Sequence, residues 1–176
     1  MSFIKLFDQQ IDQSEADYFI NLFKNGNKFL RDQGREILCN PEDEVSKNFI
    51  RKYSEIVLKY HLSNGDLDHV PYITDFLIIK SGPGSFCMPH TDQSPTRGKD
   101  VFTIMFYLND DFDGGILQFP ENDYSYDPKP LTFISFDAML LHQVTMVTKG
   151  VRYALSIGFT DDEEVDKYPM EKMEIV

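Results

Sequence analysis

The chain has 176 residues, 41% of them hydrophobic and 26% charged, which fits one globular domain large enough to bury a substantial core. A formal charge of −12 argues against a nucleic-acid backbone as partner, because that contact needs clustered Lys and Arg, and a neutral or basic substrate is easier to reconcile. No apolar run approaches the ~20 residues of a membrane helix, Met1 to Phe7 does not form a signal peptide, and Cys39 and Cys87 read as free thiols, so a soluble, cytoplasmic protein with no membrane partner is expected.

Phe3 to Phe7 reads as a short strand. Ser14 is the expected N-cap of a first helix, with Asp17 in the place where a capping box carries Glu or Gln. Ala16, Phe19, Ile20 and Phe23 form its apolar face, and Asn25-Gly26-Asn27 stops it. A second helix is expected from Asn40-Pro41, with Val45, Phe49, Tyr53, Ile56 and Tyr60 as its buried stripe and Ser63-Asn64-Gly65 as its end. Both helices are expected on the outside of a sheet. The 15 Phe and 9 Tyr favour a β-rich interior.

From Tyr72 the texture changes to short apolar or alternating runs: 76–79, 101–108, 116–119, 131–136 and 153–159. Turn residues separate them, among them Ser81-Gly82-Pro83-Gly84, Asp113-Gly114-Gly115, Asp127-Pro128-Lys129-Pro130 and Lys149-Gly150. Short strands between such turns read as a β-sandwich or barrel. No repeat or linker divides the chain, so 1–176 is read as one domain: an N-terminal strand and helices over 1–70, a β core over 73–160, and an acidic tail over 161–176.

The chemistry concentrates in that core. In an extended strand residues two apart share a face, so His90 and Asp92 of His90-Thr91-Asp92 present an imidazole and a carboxylate together. His142 lies in another short apolar run. Two histidines and one carboxylate are the ligand set of non-haem Fe(II) oxygenases. Arg152 is the one obvious cation on the apolar final strand. A His-x-Asp triplet alone is weak, since a half-buried His bonded to a neighbouring Asp is its common structural explanation; the conjunction with His142 and Arg152 raises it. His61, at a helix end, and His69, in a polar loop, read as bystanders.

The run from Gly82-Pro83-Gly84 to His90-Thr91-Asp92, then Phe106-Tyr107-Leu108-Asn109, Asp113-Gly114-Gly115-Ile116-Leu117-Gln118-Phe119-Pro120, His142 and Gly150-Val151-Arg152-Tyr153, resembles the prolyl 4-hydroxylase branch of the Fe(II)/2-oxoglutarate-dependent oxygenases. The resemblance covers roughly residues 73–160; the first seventy residues fit it only loosely. It implies a mainly β (α+β) fold, a double-stranded β-helix of the jelly-roll or cupin kind with the N-terminal helices packed outside. It implies Fe(II) held by His90, Asp92 and His142, and 2-oxoglutarate held at its C5 carboxylate by Arg152 and Tyr107, with Ser156 and Thr103 nearby. Tyr107 and Thr103 also read as ordinary strand residues. O2 is the other co-substrate and ascorbate a candidate reductant. The products are succinate, CO2 and a hydroxylated substrate, a prolyl residue of a peptide or protein on this reading. Asp92 itself favours hydroxylation, since halogenating relatives carry a small residue there.

Where relatives carry tyrosines, this chain has Lys80-Ser81 and Phe86-Cys87, which leaves the substrate open. Lys80 is read as a second cation or as a solvent-facing strand end, and Cys87 as a buried thiol that can line the pocket. The loops 93–99 and 122–130 are expected at the barrel mouth. Two alternatives stay open: a small-molecule hydroxylase acting on a free amino acid or metabolite, and a non-catalytic metal-binding jelly-roll module.

Overall fold

The structure, a computed structural model, describes residues 3–93, 100–170 and 173–175. Two α-helices, α1 (Gln13–Asn25) and α2 (Glu44–Asn64), accompany the strands. The first half contributes β1 (Ile4–Phe7), β2 (Phe29–Leu30), β3 (Arg35–Cys39), β4 (Tyr72–Ser81) and β5 (Cys87–His90). There follow β6 (Asp100–Tyr107), β7 (Phe112–Gly114), β8 (Leu117–Phe119) and β9 (Tyr124–Tyr126). The last are β10 (Phe133–Asp137), β11 (His142–Val144), β12 (Val147–Gly150) and β13 (Arg152–Thr160). The fold is mostly β, in antiparallel sheets. A large sheet runs β1-β10-β6-β13-β4-β3-β2, a smaller one β5-β11-β8-β9, and β12 pairs with β7.

Strand alternation gives the large sheet two different faces. Phe76, Ile78, Phe102, Ile104, Phe106, Phe133, Leu155, Ile157 and Phe159 belong to one apolar cluster together with the helices. Phe19 of α1 and Phe49 of α2 both meet Phe76, at ring separations of 5.5 and 6.1 Å. Tyr53 lies edge-on to Phe106 and Phe133, 5.4 Å from each. Each such buried ring contributes about 2 kcal/mol of transfer free energy. Residues of opposite parity, Leu77, Ile79, Met105, Tyr107 and Ala154, face Leu117 and Phe119 of the smaller sheet in a second cluster.

The helices differ from expectation at their starts. Asp12, not Ser14, caps α1: it forms a capping box with Glu15, whose carboxylate accepts the Asp12 N–H at 3.0 Å, while Lys52 pairs with both acids. An ionised cap at a helix N-terminus outcompetes the hydroxyl that follows it. Asp43, not Asn40, caps α2, accepting from the backbone and hydroxyl of Ser46 at 2.9 and 2.7 Å. Asn40 instead takes φ 47° and pairs with the backbone of Phe76 through its own N–H and its side-chain oxygen. The buried stripe of α2 is accordingly rotated. Phe49 and Tyr53 belong to it, but Val45 is exposed, and the rest is Ser46, Ile50, Ser54, Val57, Leu58 and His61. Ile56 and Tyr60 flank it, half-buried against the cluster. Gly65 ends the helix in the left-handed conformation, φ 73°, as read from the sequence.

His61 is no idle helix end. It is fully buried, with Nδ1 2.8 Å from Asp66 and Nε2 2.7 Å from the Ser135 hydroxyl of β10, so it bolts α2 to the large sheet. The segment 29–39, unassigned in the sequence, supplies β2 at the sheet edge and β3 between it and β4, and the stretch 122–130 contains β9 rather than being all loop. Of the other mouth loop, residues 94–99 lie outside the described residues. Among the described residues, no helix is long and apolar enough to cross a membrane.

Candidate active site

β5 and β11 bring the two histidines together: His90 and His142 are direct partners in their antiparallel ladder, with ring centroids 4.3 Å apart. Nδ1 of His90 lies 2.9 Å from the Met88 carbonyl and Nδ1 of His142 lies 2.9 Å from the Leu140 carbonyl. A carbonyl only accepts, so each ring carries a proton on Nδ1 and turns Nε2 inward. Asp92 follows β5, its N–H donating to the Ala138 carbonyl at 2.9 Å. Its Oδ1 lies 3.5 Å from both Nε2 atoms, and its Oδ2 accepts from the Thr103 hydroxyl at 2.5 Å. The three potential ligand atoms lie within 4.8 Å of one another, the only such cluster found among the described residues that could hold a metal ion. Phe136 and Phe119 back the His142 ring at 4.7 and 5.9 Å.

Charge in this cluster is tightly coupled. The Asp92 carboxylate, and then the Cys87 thiol, push His90 up to about 10. Burial pushes His142 below the ordinary histidine value, against the pull of Asp92. Burial also drives Asp92 upward, but His90, His142 and Thr103 together hold its carboxyl below the usual range. A carboxylate kept ionised between two inward-facing imidazole nitrogens is a divalent-cation donor set, and carbonyl partners on Nδ1 are the supports that such ligands use.

A cavity of about 250 Å³ opens beside the cluster; Thr103, Met105, Leu77, Ser156 and Arg152 are among its walls. Arg152 is only 2% exposed, and its Nε and Nη2 have no hydrogen-bond partner. Its guanidinium lies 5.1 Å from the ring of Tyr107, whose buried hydroxyl is also unpartnered. Burial lowers the arginine's pKa and pushes the phenol up to about 12, so the tyrosine stays a donor. Orphaned buried donors cost about 1–3 kcal/mol each, and three of them side by side are what a carboxylate would satisfy. Gly115 makes the room: a Cβ there would stand 2.8 Å from Arg152 Cδ, and its φ is 66°.

The structure therefore brings His90, Asp92 and His142 together and sets Arg152 beside Tyr107 in one region. Ser156 lines the cavity, whereas the Thr103 hydroxyl is committed to Asp92. Lys80 is not in the cavity: alternation points it the other way from Ile79 and Ser81, and it pairs with Glu36. Cys87 is buried and does line the cavity, with Sγ 3.6 Å from His90 Nδ1. Sequence reasoning missed Ser81, Arg31 and Arg35, which also line it. The parity of Leu77 and Ile79 already implied an inward Ser81, but the arginines gave no signal because their segment was not read as strand.

Residues 76–159 match the family model of the 2OG-Fe(II) oxygenase superfamily. The 2-oxoglutarate and iron-dependent oxygenase domain-containing protein 3 of Xenopus tropicalis is 26% identical over 159 residues, which cover 83% of this chain and 48% of that protein. The chain thus spans about half the length of the curated relative it matches. Among solved structures, it is similar to the viral collagen prolyl hydroxylase of Paramecium bursaria Chlorella virus-1 in its 2OG complex (TM-score 0.72, 22% identity, 92% of this chain and 97% of the other). It is also similar to a Pseudomonas putida prolyl-4-hydroxylase (TM-score 0.74, 15% identity, coverage 92% and 94%). A third is a prolyl hydroxylase from Trichoplax adhaerens bound to a hypoxia inducible factor oxygen degradation domain peptide fragment (TM-score 0.70, 19% identity, coverage 90% and 83%). These likenesses establish the shared fold.

Proposed function

We propose that this chain, whose residues 76–159 match the family model of the 2OG-Fe(II) oxygenase superfamily and whose fold is similar to that of the viral prolyl hydroxylase, hydroxylates an unactivated C–H bond, that of a prolyl residue in a peptide or protein. The superfamily works with Fe(II), 2-oxoglutarate and O2. In the overall reaction one oxygen atom of O2 enters the substrate C–H bond and the other enters succinate, with loss of CO2 from 2-oxoglutarate. The two facing sheets are read as a double-stranded β-helix, with the helices on the outer face of the larger one.

On this reading His90, Asp92 and His142 hold Fe(II), which when bound supplies the redox chemistry that activates O2. The chain's own residues supply position and charge. The Met88 and Leu140 carbonyls fix both histidine tautomers, and Thr103 fixes the Asp92 carboxylate. Arg152 and Tyr107 hold the C5 carboxylate of 2-oxoglutarate, the guanidinium through paired N–H groups suited to that anion, and Ser156 adds a hydroxyl on the same strand face. Asp92 occupies a position that a halide would need, so hydroxylation follows.

One observation carries the proposal: a two-histidine, one-carboxylate cluster shares a cavity with a buried, unpaired guanidinium. A purely structural metal module has no use for that guanidinium. Support for a prolyl substrate comes from the named activities of the solved relatives. The modest cavity of about 250 Å³ favours, as a second reading, a hydroxylase of a free amino acid or similar metabolite. The deciding experiment is anaerobic titration of the metal-free protein with Fe(II) and 2-oxoglutarate, following the weak visible charge-transfer band of a chelated keto acid. The band is expected in the wild type, lost in His142→Ala and weakened in Arg152→Ala. Its absence at saturating metal overturns the oxygenase reading.

A further inference from the structure

We propose that Arg35, with Arg31 beside it, forms a second carboxylate site at the mouth of the same cavity, so that the hydroxylated substrate is an acid bearing a carboxylate near the reacting carbon. The inference rests on the oxygenase reading and adds to it the charge of the substrate.

Three neighbouring strands carry the site in one row. Arg35 on β3 is the direct partner of Ser81 on β4, and Ser81 is the direct partner of Arg152 on β13. Partners in adjacent strands stand ~4.8 Å apart and point to one face, so the two arginines rise from the same surface about 10 Å apart with a serine between them. All three line the cavity. All three have buried polar atoms without a partner: Arg35 Nε, Ser81 Oγ, and Arg152 Nε and Nη2. One carboxylate at Arg152 leaves the other end of the row unsatisfied.

That end is the open one. Arg152 is almost wholly enclosed, whereas Arg31 and Arg35 are half-buried and also line a groove that continues outward past Phe29, Leu30, Met88 and His90. No carboxylate among the described residues pairs with either arginine; the one side-chain partner of Arg35 is the Gln33 amide oxygen, 3.4 Å from Nη2. Two guanidinium groups in one poorly solvated cavity repel each other, and one anion on each removes the repulsion. On a chain of net charge −12, this mouth is a local reversal of sign, and a carboxylate matches the guanidinium fork.

The turn that presents the pair is built for position. Gln33 and Gly34 are both left-handed, with φ of 60° and 76°, and a non-glycine residue held there costs about 1 kcal/mol or more. The Arg31 N–H closes the turn on the Arg35 carbonyl at 2.7 Å. The Phe86 N–H donates to the Gln33 carbonyl at 3.3 Å, and the Ser85 hydroxyl donates to the Gly34 carbonyl at 2.8 Å. These bonds fasten the turn to the segment that leads into His90.

The test uses the full chain as its anaerobic Fe(II)–2-oxoglutarate complex and measures binding by calorimetry. The probes are free proline against prolinamide, and proline peptides flanked by Glu against the same peptides flanked by Gln. The wild type is expected to bind the acid of a pair about tenfold or more tightly than its neutral isostere. Arg35→Gln is expected to erase that preference, Arg35→Lys to restore part of it, and both to form the keto-acid band. A preference confined to proline identifies a free acid; one confined to the Glu peptides identifies an acidic segment of a larger chain. A wild type that shows the band but favours no acidic probe overturns this inference alone, as does Arg35→Gln that retains the preference. An Arg35→Gln protein that loses the band assigns Arg35 to the co-substrate and also overturns it. A wild type with no band removes the oxygenase reading and this inference with it.

Discussion

His90 and His142 are supported in the same way: each donates Nδ1–H to the carbonyl of the residue two before it, Met88 and Leu140, both at 2.9 Å. The ladder pairing that sets them opposite each other also sets their Nε2 atoms at equal distances from Asp92 Oδ1. The donor set is therefore shaped by backbone. Among the described residues, its carboxylate accepts from one hydroxyl, that of Thr103. Thr103→Val keeps the shape and removes the hydroxyl, and it is expected to weaken Fe(II) binding about 10–100-fold. Competition against a chelator of known affinity measures this, and wild-type affinity in the variant would show that Asp92 needs no such support.

Arg152 stands buried without a carboxylate partner among the described residues, so in the ligand-free chain it is a cost. Arg152→Met is expected to raise the melting temperature of the ligand-free protein by about 2–6 °C, and 2-oxoglutarate with metal to stabilise the wild type but not the variant. Tyr107→Phe removes an unpartnered hydroxyl, so it leaves ligand-free stability intact while weakening 2-oxoglutarate binding about tenfold. Scanning calorimetry with and without ligand tests both. A ligand-free Arg152→Met protein that melts below wild type would contradict the argument.

Gly115 has φ 66°, and a Cβ there would stand 2.8 Å from Arg152 Cδ and 3.3 Å from Val147 Cγ2. Gly115→Ala is expected to cost about 1–3 kcal/mol and, by displacing the guanidinium, to weaken 2-oxoglutarate binding while metal affinity stays near wild type. Parallel titrations of metal and keto acid separate the two effects.

His61 predicts a pH dependence of stability. Burial depresses its pKa, and Asp66 opposes this only in part. With the folded pKa below the unfolded value of about 6.5, the unfolded chain takes up the proton first. The stabilisation is complete above that pH and is lost as pH falls below it, by at most about 1.4 kcal/mol per pH unit. His61→Gln is expected to be less stable than wild type at pH 8, with the difference narrowing towards pH 5. Denaturant melts across that range measure it, and a constant difference would exclude the assignment.

The candidate metal cluster was legible in the sequence because its spacing is local for His90 and Asp92, and because His142 lies in a recognisable strand. Arg152 stood out as a lone cation on an apolar strand, whereas Tyr107 was singled out only through the family resemblance. Helix starts were less so. Asp12 and Ser14 are both good caps, and only Glu15 and Lys52 in three dimensions favour the first. The serines of α2 were missed because small polar residues carry no apolar signal, yet Ser46 and Ser54 are buried on that helix. Arg35 was invisible because β2 and β3 are short strands, β3 docked on β4 and β2 added outside it, and Lys80 was ambiguous until its partner Glu36 came alongside on β3.

β13 reads as two interleaved messages. Leu155, Ile157 and Phe159 speak to the helices, and Arg152, Ala154, Ser156 and Gly158 to the cavity. Inserting or deleting one residue within the strand would exchange the two, driving a guanidinium into a bed of phenylalanines and greasing the cavity with their neighbours. Single replacements on either face leave the other message intact. The strand is therefore permissive to spelling and intolerant of spacing, and changes in chain length are confined to its turns at Gly150 and beyond Thr160.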